Sequence, residues 1–359
     1  MRRTLCLLSL LIVLPLQAEE KVVNLYSWAD YVAPQILERF EKESGYRVRY
    51  DTFDTTEVLE TKLLTGGSGY DVVVPSTTVL ARALKAGALQ PLQAQAMPGY
   101  ANLDPDLLAK LAEADPGNRH AVPYTWGTLG LGVNVEAVSQ RLGDVPLDSL
   151  DLLFKPEYAG RLKDCGIAMP DSPQEVIGVA LNYLGKDPYS HNKADLDAAQ
   201  QLLLQLQPSI SYVANGRQIN DLANGSVCLA LTYNGDAAMA ADQARRAGKS
   251  FELIYRIPRE GTLVWQDNLV IPKDAPHPEA ARAFIAFMLR PESVAALTNT
   301  LFFANANRAA TPLVDQAIRN DPDIYPPAEV RQRLFADRSM ALADLRQRNR
   351  LWTAFRSRQ

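Results

Sequence analysis

An alternation of strand-type and helix-type segments opens the readable part of the chain and constrains its fold more than any other feature. Residues 22–26 (Val-Val-Asn-Leu-Tyr) are a short apolar run of strand type. Pro34 then begins an amphipathic stretch with Ile36, Leu37 and Phe40 at helical spacing, closed by Gly45. Proline suits a first helical turn, and glycine suits the left-handed residue that ends a helix. A second strand is expected over 46–51, a helix over 57–64, a buried strand over 70–74 ending at Pro75, and a helix over 79–86. Parallel strands need a crossover between them, so this order predicts an α/β protein built on a parallel sheet with covering helices.

The pattern returns later. Residues 227–232 read as a buried strand and 237–247 as the helix after it. Residues 263–271 read as an interrupted strand, and 279–289 as a strongly amphipathic helix. Proline and glycine cluster at 115–132, 169–173 and 257–261, which are expected crossing points between two lobes. The length of 359 residues and the 47% hydrophobic content supply two cores. The arginine-rich end, 331–358, is expected to be a solvated helical face.

The N-terminus carries a different signal. Arg2 and Arg3 precede an apolar run over 5–14, and residues 15–18 (Pro-Leu-Gln-Ala) end in a small side chain. These three parts read as a secretory signal peptide over 1–18, cleaved near Ala18. The run is too short for a membrane span, which takes roughly 20 residues. Cys6 lies inside the run, so no mature lipid-bearing cysteine is expected. Removing two arginines takes the net charge from −4 to −6. That acidity argues against a nucleic-acid partner, since nothing is in excess to neutralise phosphates. Cys165 and Cys228 remain in the exported chain. In an oxidising compartment they make one disulfide or stay as two buried thiols.

Catalytic patterns are missing from the sequence. His120, His191 and His277 are the only histidines, and none sits at zinc-ligand spacing. Residues 66–70 (Gly-Gly-Ser-Gly-Tyr) complete neither a nucleophile elbow nor a phosphate loop. Gly127, Gly130 and Gly132 stand in the wrong order for a dinucleotide fingerprint. No cofactor and no metal are expected, and no enzyme.

What does recur is an acid shortly after an aromatic residue, near a strand end: Trp28 and Asp30, Tyr233 and Asp236, Trp265 and Asp267. Asp171 and Glu175 form a further acidic cluster in a loop after Pro170. In open α/β sheets the ligand crevice lies at the carboxyl ends of the strands. Carboxylates give ammonium groups charge-assisted hydrogen bonds, and aromatic faces attract cations by roughly 0.5–2 kcal/mol. Separated acids with rings between them suit an elongated di- or triamine. An amino acid would also need an arginine for its carboxylate, with Arg217 and Arg308 as the residues that could approach. Asp236 precedes a helical run, so an N-cap role competes with a ligand role. Asp267 sits inside an apolar strand pattern and has no such rival.

Long segments of the mature chain resemble the polyamine-binding periplasmic proteins, the receptors of ATP-driven importers. They are YSWADYVAP at 26–34, SGYDVVVPS at 68–76, DPGNRHAVPYTWGTLGLGVN at 115–134, INDLANG at 219–225 and ANANRAATPL at 304–313. The resemblance implies a two-lobed type II periplasmic binding protein fold with two hinge crossings and a central ligand cleft. Residues 19–125 with 251–303 would form one lobe, and 126–250 with 304–359 the other. It implies a ligand set of Trp28, Asp30, Ser76, Glu175, Tyr233, Asp236, Trp265, Asp267 and Phe303, and a disulfide between Cys165 and Cys228. It further implies a periplasmic monomer that carries putrescine or spermidine to an inner-membrane ABC permease. A receptor or sensor for another organic cation, such as agmatine, is the alternative. Ala29 stands where a serine is common. Trp265 resembles the spermidine-preferring members and Asp236 the putrescine type.

Overall fold

The computed structural model describes residues 21–29 and 31–357. The expected signal peptide over 1–18 and Asp30 lie outside the described residues. Among the described residues, eleven strands form one continuous mixed sheet: β1 (Val22–Trp28), β2 (Arg47–Phe53), β3 (Val72–Val73), β4 (Ala121–Asn134), β5 (Ile167–Met169), β6 (Tyr212–Val213), β7 (Leu229–Tyr233), β8 (Leu253–Arg256), β9 (Leu263–Val270), β10 (Ala304–Asn305) and β11 (Phe335–Ala336). Their main order is β2-β1-β3-β9-β4-β7-β5-β6.

The two ends of this order are built alike. β1 lies parallel to β2 and β3, and β5 lies parallel to β6 and β7. Each parallel trio then meets one antiparallel strand: β9 beside β3, and β4 beside β7. The sheet is therefore mixed rather than wholly parallel, because the strands that pass between the two ends run against the local direction. β4 carries one crossing along its own length. Its first part, through Thr128, pairs with β9, and its second part, from Leu129, pairs with β7 and β8. The proline–glycine cluster at 115–132, expected as a crossing point, is thus largely a 14-residue strand. Its pairing with β9 shifts register between Pro123 and Trp126, close to the residue that has no N–H for a ladder.

Two principal cores flank the junction. One gathers Val23, Leu25, Phe40, Val72, Phe284 and Phe287, and the other Leu131, Val133, Leu153, Ile167, Val179 and Leu203. This is the two-lobed mixed α/β arrangement the sequence implied. Helix boundaries follow local chemistry. Proline occupies the first turn of the helices Pro34–Ser44, Pro173–Tyr183 and Pro278–Met288. Gly45 closes the first of them at φ 73°.

Two expectations need correction. The turn at 169–173 is not a crossing, since Met169 before it and Val176 after it pack in the same core. The arginine-rich end is not simply a solvated face. Its helix, Leu342–Arg356, buries Leu351, Trp352 and Phe355 in the second core. Arg348 is 1% exposed and donates to the carbonyls of Gln174 (3.3 Å), Pro188 (2.7 Å) and Ser190 (3.2 Å). A guanidinium carries five donors, enough to satisfy several loop carbonyls at once. Cys165 and Cys228 are disulfide-bonded, with Cα atoms 5.5 Å apart, which ties the turn before β5 to the start of β7. Among the described residues no helix is long and apolar enough to cross a membrane.

Candidate functional site

A cavity of about 540 Å³ opens where the two halves of the sheet meet. Its walls carry eight of the nine expected ligand residues: Trp28, Ser76, Glu175, Tyr233, Asp236, Trp265, Asp267 and Phe303. Asp30, the ninth, lies outside the described residues. Trp28 ends β1 and Tyr233 ends β7, so the strand-end placement inferred from the sequence holds for both. Trp265 and Asp267 lie inside β9. Glu175 is in the first turn of the helix Pro173–Tyr183, not in a loop. Asp236 is in the first turn of the helix Asn234–Arg246, whose N-cap is Tyr233, so Asp236 is not the cap.

The aromatic wall is packed edge against face. Trp265 meets Tyr233 at 6.0 Å and Phe303 at 5.2 Å, with interplanar angles of 88° and 78°. Tyr31 closes on Phe303 at 5.4 Å, and Trp28 on Phe53 at 4.4 Å. Two glycines make room for these rings. A Cβ on Gly235 would lie 2.4 Å from the Phe303 ring, and one on Gly127 would lie 2.6 Å from the Trp265 ring. Gly127 is therefore a packing residue of β4, which accounts for a glycine that fitted no nucleotide motif.

The polar wall is anchored on Asp267, which is 6% exposed. Ser76 bridges to it across the sheet edge. The Pro75–Thr77 turn is clamped to β9, since Asn268 N–H donates to the Pro75 carbonyl (3.0 Å) and the Thr77 hydroxyl to the Gln266 carbonyl (3.1 Å). Ser76 stands at the N-cap of the helix Thr77–Lys85 but makes no side-chain cap bond. Its hydroxyl donates to Thr78 at 3.0 Å, and Thr78 donates to Asp337 at 3.0 Å. Across the cavity, the Tyr233 hydroxyl donates to Glu175 at 2.6 Å and lies 3.2 Å from the Ser172 hydroxyl.

Three carboxyl groups here are strongly perturbed. Desolvation pushes Glu175 up to about 8, helped by the charges of Asp337 and Asp267 and opposed by the Tyr233 and Ser172 hydroxyls. Desolvation pushes Asp267 up to about 7, opposed by Tyr31 and Trp28 and helped by Asp337. Asp337 itself rises to about 6 for the same cause, opposed by Thr78 and by the charge of Arg82. Each raised value records how poorly the site solvates a carboxylate, with no cation acting on Glu175 or Asp267 and only the charge of Arg82 on Asp337. The cationic side chains on the wall are committed or remote. Arg82 is bidentate on Glu60 at 2.6 and 2.9 Å, Arg338 lies over the Tyr189 ring, and Arg346 is exposed. Asp171 is taken by Arg356 (2.5 Å) and the Trp352 indole (2.8 Å). Neither Arg217 nor Arg308 lines the cavity, and Arg217 is paired with Asp221 at 2.9 Å.

Sequence reasoning missed Asp337, Thr78 and Tyr31. Asp337 had a signal: Phe335 precedes it by two, the same spacing as Trp265 before Asp267. It lies in the arginine-rich segment set aside as solvated. Thr78 and Tyr31 serve through contacts with distant segments and leave no pattern of their own. Among the described residues no group of three or more His, Cys, Asp or Glu is arranged to hold a metal. The arrangement suits recognition of a flexible, multiply cationic ligand with apolar spacers.

Residues 35–326 match the model of the bacterial extracellular solute-binding proteins. The chain is 46% identical to the putrescine-binding periplasmic protein SpuD of Pseudomonas aeruginosa over 341 residues, covering 95% of this chain and 93% of that one. It is 45% identical to the putrescine-binding periplasmic protein PotF of Escherichia coli, covering 95% and 93%. A solved structure described as a putative spermidine/putrescine ABC transporter from Listeria monocytogenes superposes with a TM-score of 0.85 at 31% identity, covering 94% of this chain and all of that one.

Proposed function

The chain belongs to the bacterial extracellular solute-binding proteins, and from that premise we propose that it is a periplasmic, non-enzymatic polyamine receptor. It holds a linear polyamine in the cleft between its lobes and presents the closed form to a membrane ABC permease. The observation that carries this reading is the trio of Asp267, Glu175 and Asp337. These are desolvated carboxyls bonded to neutral hydroxyls and walled by Trp265, Tyr233 and Phe303. Burying such charges is costly until each meets a cation. Alkylammonium groups neutralise them, and the methylenes between ammonium groups lie against the rings. The relatives named for putrescine and spermidine support the same reading. Trp28, Asp30, Ser76 and Asp236 complete the proposed contact set.

In this reading the lobes follow the expected division, 19–125 with 251–303 against 126–250 with 304–359, with two shifts. β8 pairs with the second part of β4 and goes with the second lobe. The stretch from Ala304 to Ile324 packs on the helix Pro291–Leu301 and goes with the first. Export follows cleavage near Ala18, and the receptor acts as a monomer.

Titration calorimetry of the purified protein with putrescine, spermidine, cadaverine and agmatine tests the proposal. Micromolar or tighter binding of at least one of them is expected. A quaternary ammonium such as choline binds far more weakly, because it has no N–H to donate to the acids. If all four amines fail below millimolar concentration, the receptor reading is wrong.

A further inference from the structure

A second cavity, of about 550 Å³, lies behind the ligand cleft. Tyr233 and Phe303 line the cleft, and their chain neighbours Asn234 and Phe302 line the space behind it. The helix Asn234–Arg246 is shared in the same way. Asp236 and Met239 border the cleft, whereas Ala238, Ala241 and Arg245, at helical spacing, border the second cavity. The crossing in β4 sits at this partition. Gly127 backs the Trp265 ring of the cleft, and the Thr128 hydroxyl lies 2.8 Å from that of Tyr255 on the wall of the second cavity. In the division given above, the walls of this cavity come from both lobes: Ala238 and Ala241 from the second, Phe302 and Ile318 from the first. The ion pair of Arg256 with Asp323, at 2.8 Å, ties the two walls together. On the cleft side the lips touch. The Asn215 amide donates to the Asp54 carbonyl at 2.9 Å while accepting the Asp171 N–H at 2.9 Å.

Resting on the two-lobed receptor reading above, we propose that this rear cavity sets the balance between the open and closed forms, and through it how long the receptor holds any amine. The reasoning is that of a lever. Rotation about a hinge moves the two sides oppositely, so lips that part in front bring the walls behind together. With the lips in contact the rear cavity stands wide, and alanines on its helical wall leave room for that approach. A longer side chain at Ala238 or Ala241 takes up this room and penalises the open form alone. Amine is held by the closed form, so apparent affinity rises with the closed fraction. The short side chains thus keep reopening, and with it release, within reach. Ala238 and Ala241 are positioning residues in this scheme, since neither borders the cleft.

Two variants of the full chain test it. Ala241→Met fills the space with a flexible apolar chain. Ala241→Gln fills it at similar length with a polar end, which keeps the test open if the apolar variant folds poorly. Small-angle X-ray scattering of the unliganded proteins is expected to give both variants a smaller radius of gyration than the wild type. Stopped-flow fluorescence with putrescine and with spermidine is expected to show dissociation slowed at least threefold and association changed by less than twofold. The ratio of the two affinities stays at its wild-type value, because the cleft contacts are untouched. A merely structural effect of the substitution would move neither the radius nor the dissociation rate in this direction. Scattering that matches the wild type in both variants, or faster dissociation, overturns the inference and leaves the receptor reading standing. If neither amine binds the wild type, the receptor reading fails, and the scattering alone still decides whether the rear cavity governs closure.

Discussion

Two sets of poorly solvated acids in this protein have opposite surroundings. Asp71 and Asp115 are 0% and 1% exposed. Asp71 accepts backbone N–H bonds from Asn24 (2.7 Å) and His277 (2.6 Å), and the His277 ring at 3.0 Å. Asp115 accepts backbone N–H bonds from His120 (2.7 Å) and Ala121 (3.1 Å), and the His120 ring at 2.9 Å. A carboxylate can only accept, so each histidine donates from Nδ1. The cleft acids Asp267, Glu175 and Asp337 are held mainly by side-chain donors instead, the Tyr31, Tyr233, Ser172 and Thr78 hydroxyls and the Trp28 indole, with a single backbone N–H, that of Arg338, on Asp337. The lesson is that burial alone does not mark a ligand-binding acid. An acid cradled by backbone amides is already satisfied and belongs to the fold, whereas one left with neutral hydroxyls is satisfied only when a cation arrives.

The largest effects should separate the two sets in opposite directions. Asp71→Ala strands two backbone donors and removes the partner of the partly exposed His277 ring. At roughly 1.5–3 kcal/mol for each charged hydrogen bond lost, it should cost at least about 3 kcal/mol of stability in denaturant unfolding. Amine affinity of the folded fraction should stay within about threefold. Asp267→Asn should do the reverse. Stability of the unliganded protein should be unchanged or higher, and amine affinity should fall about a hundredfold, roughly 2.7 kcal/mol. If Asp267→Asn unfolds the protein, or Asp71→Ala spares stability but abolishes binding, the division between the two sets fails.

Much of this contrast was legible in the sequence, and the remainder was not for identifiable reasons. The alternation over 22–86 announced β1, β2 and β3 and their helices because period and punctuation are local properties. Trp265 and Asp267 stood out because an acid inside an apolar strand has no capping use. The crossing at 115–132 was legible but its strand β4 was not, because a glycine such as Gly127, which admits the Trp265 ring, breaks a strand pattern until the partner ring is in place. Asp171 and Glu175 looked alike in the sequence. Only the packing of the helix Leu342–Arg356 assigns Arg356 to the first and leaves the second to the cavity. Asp337 repeats the aromatic–acid spacing, but the arginines around it gave the segment the look of a solvated face, and the burial of Arg348 depends on loop carbonyls far away in sequence.

The mildest test turns on pH. The cleft carboxyls hold protons in the unliganded fold at pH values where the unfolded chain has already lost them, near pH 4 for ordinary carboxylates. In that window the native state binds more protons than the unfolded state, so stability falls as pH rises. The fall should run from about pH 4 through the values of about 6, 7 and 8 for Asp337, Asp267 and Glu175, and level off above them. Thermal unfolding of the unliganded protein should therefore occur a few degrees lower at pH 8 than at pH 6. Binding runs the other way. A polyammonium ligand needs these groups ionised, so at pH 6 it must expel protons that at pH 8 are already gone. Ionisation of Asp267 alone, at about 7, gives about a tenfold gain in affinity between those values. Calorimetry in two buffers of different ionisation enthalpy should show protons released at pH 6.5 and fewer at pH 8. Affinity that is flat across this range, with no proton release, would place cations beside these acids before any amine arrives and would erase the distinction between the two sets.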